Sequence, residues 1–290
     1  MTSLFNFSPL VAGIILAAVV AIITIGGVKR ISQVTTLMVP FMGMFYIIAG
    51  IAVLAIKVTE IPAAFGQIFS GAFSFEAVGG GIFGYVIMTA IRQGFARGVF
   101  SNEAGLGSAP IAHASSSTEE PVEQALWGVF EVFVDTIIIC SITGLTVILS
   151  GIPLGADALA EYSSKGAAAT TAFNAILPGT WGGTIIQISL LFFALSTILA
   201  WNYYGERCLG YLTKDNKYVI GAYKVIFVGV CILGALGSGT LMWDIADTLN
   251  GLMALPNLVA LLLLSGVVTV ASKTYFAKQK ELKKLEKTQK

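Results

Sequence analysis

The sequence predicts an all-α integral membrane protein, and three observations carry that expectation. Of the 290 residues, 56% are hydrophobic and only 11% charged, where a soluble domain carries roughly 25% charged residues. Nine of the 33 charged residues crowd into the last eighteen positions, Lys273 to Lys290, which leaves the first 272 nearly bare of charge. Long apolar runs recur at the length that crosses a hydrocarbon core about 30 Å thick, roughly 20 helical residues. A water-soluble shell is excluded. So is a nucleic-acid binder, because the net charge is +1 and the basic cluster is confined to the tail. Cys140, Cys208 and Cys231 lie in or beside apolar runs without paired spacing, which indicates neither a disulfide framework nor a zinc site. A single histidine, His113, rules out a multi-histidine metal centre within the chain.

About seven segments have the composition of transmembrane helices. The first, Leu10 to Val28, is uncharged and opens with Ser8 as N-cap and Pro9 at the first helical position. It is not read as a signal peptide, since no Lys or Arg precedes it and no small-residue cleavage site ends it. The second runs from Val34 to Ile56, and the third is an irregular stretch from Gly80 to His113. The remaining four are Val122 to Leu149, Ile185 to Glu206, Val219 to Leu236 and Asn250 to Ser272. Short connecting helices are expected at Ile61 to Phe73, where Ile61, Phe65, Ile68, Phe69 and Phe73 recur at helical spacing, at Gly166 to Ile176 and at Leu241 to Leu249. Residues 1–272 read as one transmembrane domain and 273–290 as a basic tail, helical over Phe276 to Lys290 and drawn to anionic lipid.

Orientation follows from where Lys and Arg gather beside the spans. Lys29 and Arg30, then Arg207, Lys214 and Lys217, then the Lys-rich tail all fall on one side of a seven-span chain, while the other side has only Lys57 and Lys165. The tail is therefore expected in the cytoplasm and the N-terminus outside.

The third span carries the chemistry. Its sequence GFARGVFSNEAGLGSAPIAHA, Gly94 to Ala114, sets Arg97, Asn102 and Glu103 among Gly94, Gly98, Gly105 and Gly107, with Arg92 just before and Pro110 near the end. No uninterrupted lipid-facing helix accommodates that content. Non-helical backbone at membrane depth is tolerated only where protein buries it or a watery cavity adjoins it. A break over Phe100 to Ser108 is expected, leaving one half-helix that ends and another that starts at mid-membrane. The ending half offers carbonyl oxygens to a cation, and the starting half offers N–H groups to an anion. Such a site suits a zwitterion accompanied by Na⁺.

The run GVFSNEAGLGSAPIAHA, together with STILAWNYYGERC from Ser196 to Cys208, NGLMALPNL from Asn250 to Leu258 and GGVKRI from Gly26 to Ile31, resembles the alanine or glycine:cation symporter family. The resemblance covers essentially the whole chain except the tail, and its first motif is too long for chance. It implies the inverted-repeat transporter fold shared with neurotransmitter:sodium symporters, and a multi-pass carrier of the plasma membrane. Such a carrier moves a small neutral amino acid, alanine or glycine, with Na⁺ or H⁺, and it is no enzyme and holds no cofactor. Members of that family are longer. Residues 1–57 resemble the end of their first repeat and residues 80–272 the complete second repeat, so the first repeat is incomplete and the helix with a Gly-Thr-Gly-Asn-type break is not represented. Two further expectations follow from that resemblance: the missing N-terminal half is a partner, or the chain is a truncated, non-transporting fragment or subunit.

The candidate residues have two readings each. Ser101, Asn102, Gly105 and Gly107 either line a substrate cavity or let helices pack closely. Phe100 and Trp201 face lipid or, as the resemblance implies, bound the substrate side chain. Ser196 and Thr197 either bond back to their own helix or, by resemblance, supply hydroxyl oxygens to Na⁺; Thr197 shares a helix face with Trp201 and counts for substrate as well. Glu103 either pairs with Arg97 or Arg92 or couples to an ion, since an intramembrane carboxylate is functional by default. Asp135 is either a proton or ion relay or a packing residue. His113, Asn202, Glu206 and Arg207 are expected at cytoplasmic ends of spans.

Two rivals fail on the sequence. An intramembrane protease built on Ser108 has only His113 as base, five residues along the same segment and on the opposite side of a continuous helix. A retinal protein needs a lysine in the last span, and Asn250 to Ser272 contains none. The topology is checked by a pair of reporters fused after Lys290, one active only inside the cell and one only outside. Activity of the inner reporter is expected, and activity of the outer one contradicts the seven-span reading.

Overall fold

The computed structural model describes residues 7–73, 80–153, 168–179, 181–237 and 239–288, and every regular element among them is helical. Lys165 and the expected helix start at Gly166 lie outside the described residues. Helix α1 (Pro9–Ile25) begins as its sequence dictates: Ser8 accepts the N–H of Val11 at 3.4 Å, and Pro9 occupies the first turn. Its successor α2 (Gly27–Ile56) starts at Gly27 rather than near Val34, because Gly27 takes φ +67° and turns the chain within one residue. Lys29 and Arg30 therefore stand in the first turn of α2 and not in a loop. A short 3₁₀ turn (Val58–Glu60) leads into α3 (Ile61–Phe73), tied by Lys57 Nζ to Glu60 Oε1 at 2.7 Å.

The third span is interrupted, as expected, but unequally. Helix α4 (Gly80–Asn102) has full length, whereas α5 (Ala109–His113) is five residues long, not a half-span. The serine run after His113 stops it: Ser115 Oγ donates to the Ala112 carbonyl, and Ser116 Oγ accepts the Thr118 N–H, hydroxyl bonds that compete with helix continuation. Helix α6 (Pro121–Leu149) contains a π-helical segment at Phe133–Ile139. After α7 (Ala168–Ile176), α8 (Trp181–Thr213) and α9 (Lys217–Leu236, capped by Asn216), the chain ends in α10 (Gly239–Thr288).

That last helix corrects the sequence reading. The expected connector Leu241 to Leu249, the span Asn250 to Ser272 and the tail helix are one element of 50 residues, about 75 Å long at 1.5 Å per residue. Pro256 lies inside it but removes only one backbone hydrogen bond, and no residue within the helix takes positive φ. Five helices among the described residues are long and apolar enough to cross a membrane: α2, α6, α8, α9 and α10, while α1 is a shorter apolar helix.

The chain divides into two compact units, Met1–Arg92 with Ile137–Ile245, and Gln93–Thr136 with Ala246–Lys290. In the first, α2, α7, α8 and the last part of α6 meet around Tyr46, Val53, Ile142, Phe173 and Ile186, all buried. The Tyr46 ring lies 5.7 Å from Phe173 and 6.0 Å from Phe193, and its hydroxyl bonds Thr143. Asn174 Oδ1 accepts the Gly183 N–H at 2.6 Å, joining α7 to α8. Close approach uses small residues, as membrane helices require when lipid competes equally for apolar surface: Gly13 of α1 faces Ala235 of α9, and Gly50 of α2 faces Ile142. On α3 the small Ala64 packs against Leu145 and Leu149 while Phe65, Ile68 and Phe69 point outward. In the second unit the tail end of α10 is held by Lys278 Nζ on Glu120 Oε1 at 2.8 Å. That bond raises the Lys278 ammonium above its ordinary value, so the lysine keeps its proton through neutral pH and its side of the pair is lost as pH rises past that raised value.

A methyl group at Gly50 would run into the Ile142 side chain, whereas one at Gly43 meets nothing within 4 Å. Gly50→Ala is therefore expected to destabilise by about 1–3 kcal/mol through overpacking, and Gly43→Ala to be neutral or slightly stabilising. Thermal unfolding in detergent checks this, and Gly50→Ala is expected to cost less in an Ile142→Ala background than alone, because the colliding side chain is gone.

Candidate functional site

The break in the third span is a built feature. Asn102 ends α4, and its Oδ1 turns back to accept the Ala104 N–H at 2.9 Å, an Asx turn that starts the non-helical stretch. Glu103, Gly105 and Gly107 take positive φ, at 53°, 86° and 85°. The glycines suit that region at no steric cost, and Glu103 adopts it against the preference of a residue with a Cβ. Its carboxylate accepts the Ser108 hydroxyl at 2.8 Å, and its carbonyl accepts the Leu106 N–H at 3.1 Å. Leu106 and Ser108 are buried, so the loop is anchored from within. Gly107 is also needed for room, because a Cβ there would stand 2.9 Å from Asn257 Oδ1 of α10.

The π segment of α6 holds the end of α4. Ser101 Oγ donates to Asp135 Oδ2 at 2.6 Å, and Asn102 Nδ2 donates to Thr136 Oγ1 at 3.2 Å. Two consecutive residues thus bond two consecutive residues. An ordinary α-helix turns successive side chains well apart, and the wider π turn narrows that angle. The Thr136 hydroxyl reaches the same Asp135 oxygen at 3.3 Å. One turn earlier, Arg97 forms an ion pair with Asp247 of α10.

This arrangement gives Arg97 and Glu103 partners that the sequence reading did not name. Arg97 pairs with Asp247, where pairing with Glu103 was one expectation, and Glu103 receives Ser108. Sequence reasoning missed Asp247 because it lay in a segment taken for a connector; the recurrence of Asp247, Asn250 and Asn257 at helical spacing in an apolar run was the available signal. Thr136 was missed as an ordinary residue of an apolar span. His113 sits against α6, with Nδ1 2.7 Å from Gln124 Nε2 and Nε2 3.6 Å from Glu131 Oε2.

Phe100, Ser101, Asn102 and Gly105 are thus neighbours around the break, with Phe100 half-buried. Ser196, Thr197 and Trp201 form a separate group on α8. Both hydroxyls donate to the Phe193 carbonyl at 2.9 Å, the geometry of hydroxyls that bond back to their own helix. A hydroxyl that donates its single hydrogen keeps lone pairs for a further contact. Trp201 is half-buried and meets Tyr204 edge-on at 5.7 Å.

In keeping with the polar break and the membrane-length apolar helices, the profile of the sodium:alanine symporter family matches residues 1–290. The chain belongs to the sodium:alanine symporter family. It is 48% identical over 276 residues to a sodium/alanine symporter of Methanococcus maripaludis, covering 95% of this chain and 58% of that protein. It is 36% identical to a probable sodium/glutamine symporter of Bacillus subtilis, covering 95% of this chain and 55% of the other. A putative sodium/proton-dependent alanine carrier of the same bacterium is 33% identical, over 96% of this chain and 58% of its own length. The chain thus spans a little over half the length of these relatives. The family is one of transporters, and with five membrane-length apolar helices this member is an integral protein of the cell membrane.

Solvation of the break is testable in a background lacking Cys140, Cys208 and Cys231. Ser101→Cys is expected to react with a small aqueous thiol reagent several-fold faster than Leu262→Cys, which lies in the apolar run of α10. Equal rates contradict a watery site.

Proposed function

We propose that this chain carries part of the substrate and cation machinery of a symporter that moves a small neutral amino acid, alanine or glycine, together with Na⁺ or H⁺. The observation that carries the reading is the polar break: a membrane segment interrupted by positive-φ residues, its last helical turn hydrogen-bonded to Asp135 and Thr136. The last carbonyls of α4 have no partner within their own helix, and they belong to the turn that carries Ser101 and Asn102. Carbonyl, hydroxyl and carboxylate oxygens suit a hard cation, and the amide and hydroxyl of Asn102 and Ser101 suit the ends of a zwitterion. In this reading Phe100, Ser101, Asn102, Gly105, Thr197 and Trp201 contact the amino acid, and Ser196 and Thr197 ligate Na⁺. The wider architecture is the inverted-repeat fold with seven spans, α1 and α4 joining the five membrane-length helices.

Sodium coupling draws support from the relatives, a sodium/alanine symporter and a probable sodium/glutamine symporter. Because the chain spans little more than half their length, the transport cycle of a whole relative belongs to the proposal.

The test uses a chimaera in which residues 1–290 replace the matching segment of the Methanococcus maripaludis relative. Thr197→Ala is expected to raise the Na⁺ concentration for half-maximal alanine uptake about tenfold, equivalent to ~1.4 kcal/mol, and by linkage to weaken alanine binding at subsaturating Na⁺. Trp201→Ala is expected to broaden amino-acid selection while leaving the Na⁺ dependence in place. If Thr197→Ala alters only which amino acids enter, Thr197 belongs to the substrate pocket alone.

A further inference from the structure

Between α8 and α9, within the first unit, the chain buries polar atoms that have no partner among the described residues. Asn202 is 0% exposed, yet neither its Nδ2 nor its Oδ1 has a partner among the described residues. Four residues on, and so on the same helix face, Glu206 binds Lys224 Nζ through Oε1 at 3.0 Å while its other carboxylate oxygen is buried and unpartnered. Tyr223, next to Lys224 on α9, closes the group: its hydroxyl donates to the Asn202 carbonyl at 3.2 Å and passes over Gly205, where a Cβ would collide with it. The ion pair is half-shielded, at 23% and 18% side-chain exposure, and Asn202 is fully enclosed.

Each such unmet group costs roughly 1–3 kcal/mol if it stays dry, and native proteins seldom leave several together. The occupant must therefore both donate and accept hydrogen bonds. An anion is opposed by the Glu206 carboxylate. A bare cation is opposed by Lys224 on that same carboxylate and by the Asn202 amide hydrogens. We infer that Asn202 and Glu206 bind a water molecule, which donates to Glu206 Oε2 and Asn202 Oδ1 and accepts from Asn202 Nδ2. Three bonds of that kind are typical of a buried structural water. The water pins α8 one residue beyond Trp201, on the helix that also carries Ser196 and Thr197. The inference stands independently of any transport activity.

The experiment is a double-mutant cycle on the intact chain, read by thermal unfolding in detergent. If water bridges the two residues, Asn202→Leu lowers the unfolding midpoint, and adding Glu206→Gln to it causes less further loss than Glu206→Gln causes alone, because both changes remove the same bridge. If the site is dry, Asn202→Leu removes an unpartnered amide and raises the midpoint, and the two effects add, which overturns the inference. Should Asn202→Leu fail to fold, radiolytic hydroxyl labelling of the unaltered protein decides. Leu199, one turn before Asn202 and 0% exposed, is expected to label several-fold faster than Val20 and Val53, which are equally buried, since a bound water generates the radical in place. Equal rates at the three positions overturn it.

Discussion

Every polar group that a membrane protein carries into hydrocarbon must meet another polar group inside the protein, and this constraint shapes the break in the third span. Arg97, Ser101, Asn102 and Glu103 fall within seven residues, and each is answered: by Asp247, by Asp135, by Thr136 and by Ser108. The partners come from three places, the π segment of α6, the start of α10 and the loop itself. That is why the loop is not a slack connection. Its three positive-φ residues and the tight passage of Gly107 beside Asn257 hold the end of α4 in one conformation.

A helix end fixed in this way is prepared for ligands without rearrangement. The hydroxyl and amide of Ser101 and Asn102 are already oriented by α6, and the carboxylate of Asp135 receives only hydroxyl groups among the described residues. In the proposed symporter this preorganisation lowers the cost of gathering an amino acid and a cation. The hydroxyls of Ser196 and Thr197 share the Phe193 carbonyl, which sets their hydrogens and leaves their lone pairs for a further contact. On the same helix the Asn202 amide has no partner among the described residues, and there the inferred water would meet the same constraint.

Much of this was legible in the sequence, for identifiable reasons. The break was visible because arginine, asparagine and glutamate among glycines contradict a lipid-facing helix, and α1 was visible through Ser8 and Pro9. The π segment was not, since FVDTIII reads as an ordinary apolar run with one acid, and only its partners across space reveal why the turn widens. The five-residue length of α5 depended on how the serine hydroxyls bond, which composition does not state. Continuity of α10 was hidden by Pro256 and by the short polar stretch before it; a proline marks a lost hydrogen bond, and whether the helix goes on is decided by the turns on either side. Asp247 was overlooked because its segment was taken as a connector, which removed it from the search for a partner of Arg97.

The most direct measurement is equilibrium binding of radiolabelled alanine to the purified chain, in Na⁺ and in choline at equal ionic strength. The account expects binding that rises with Na⁺ and is competed by unlabelled glycine, because the polar break gathers the hydroxyl, amide and carboxylate groups of Ser101, Asn102 and Asp135 that suit both. Alanine binding that is indifferent to Na⁺ would contradict the central claim that one site region serves amino acid and cation.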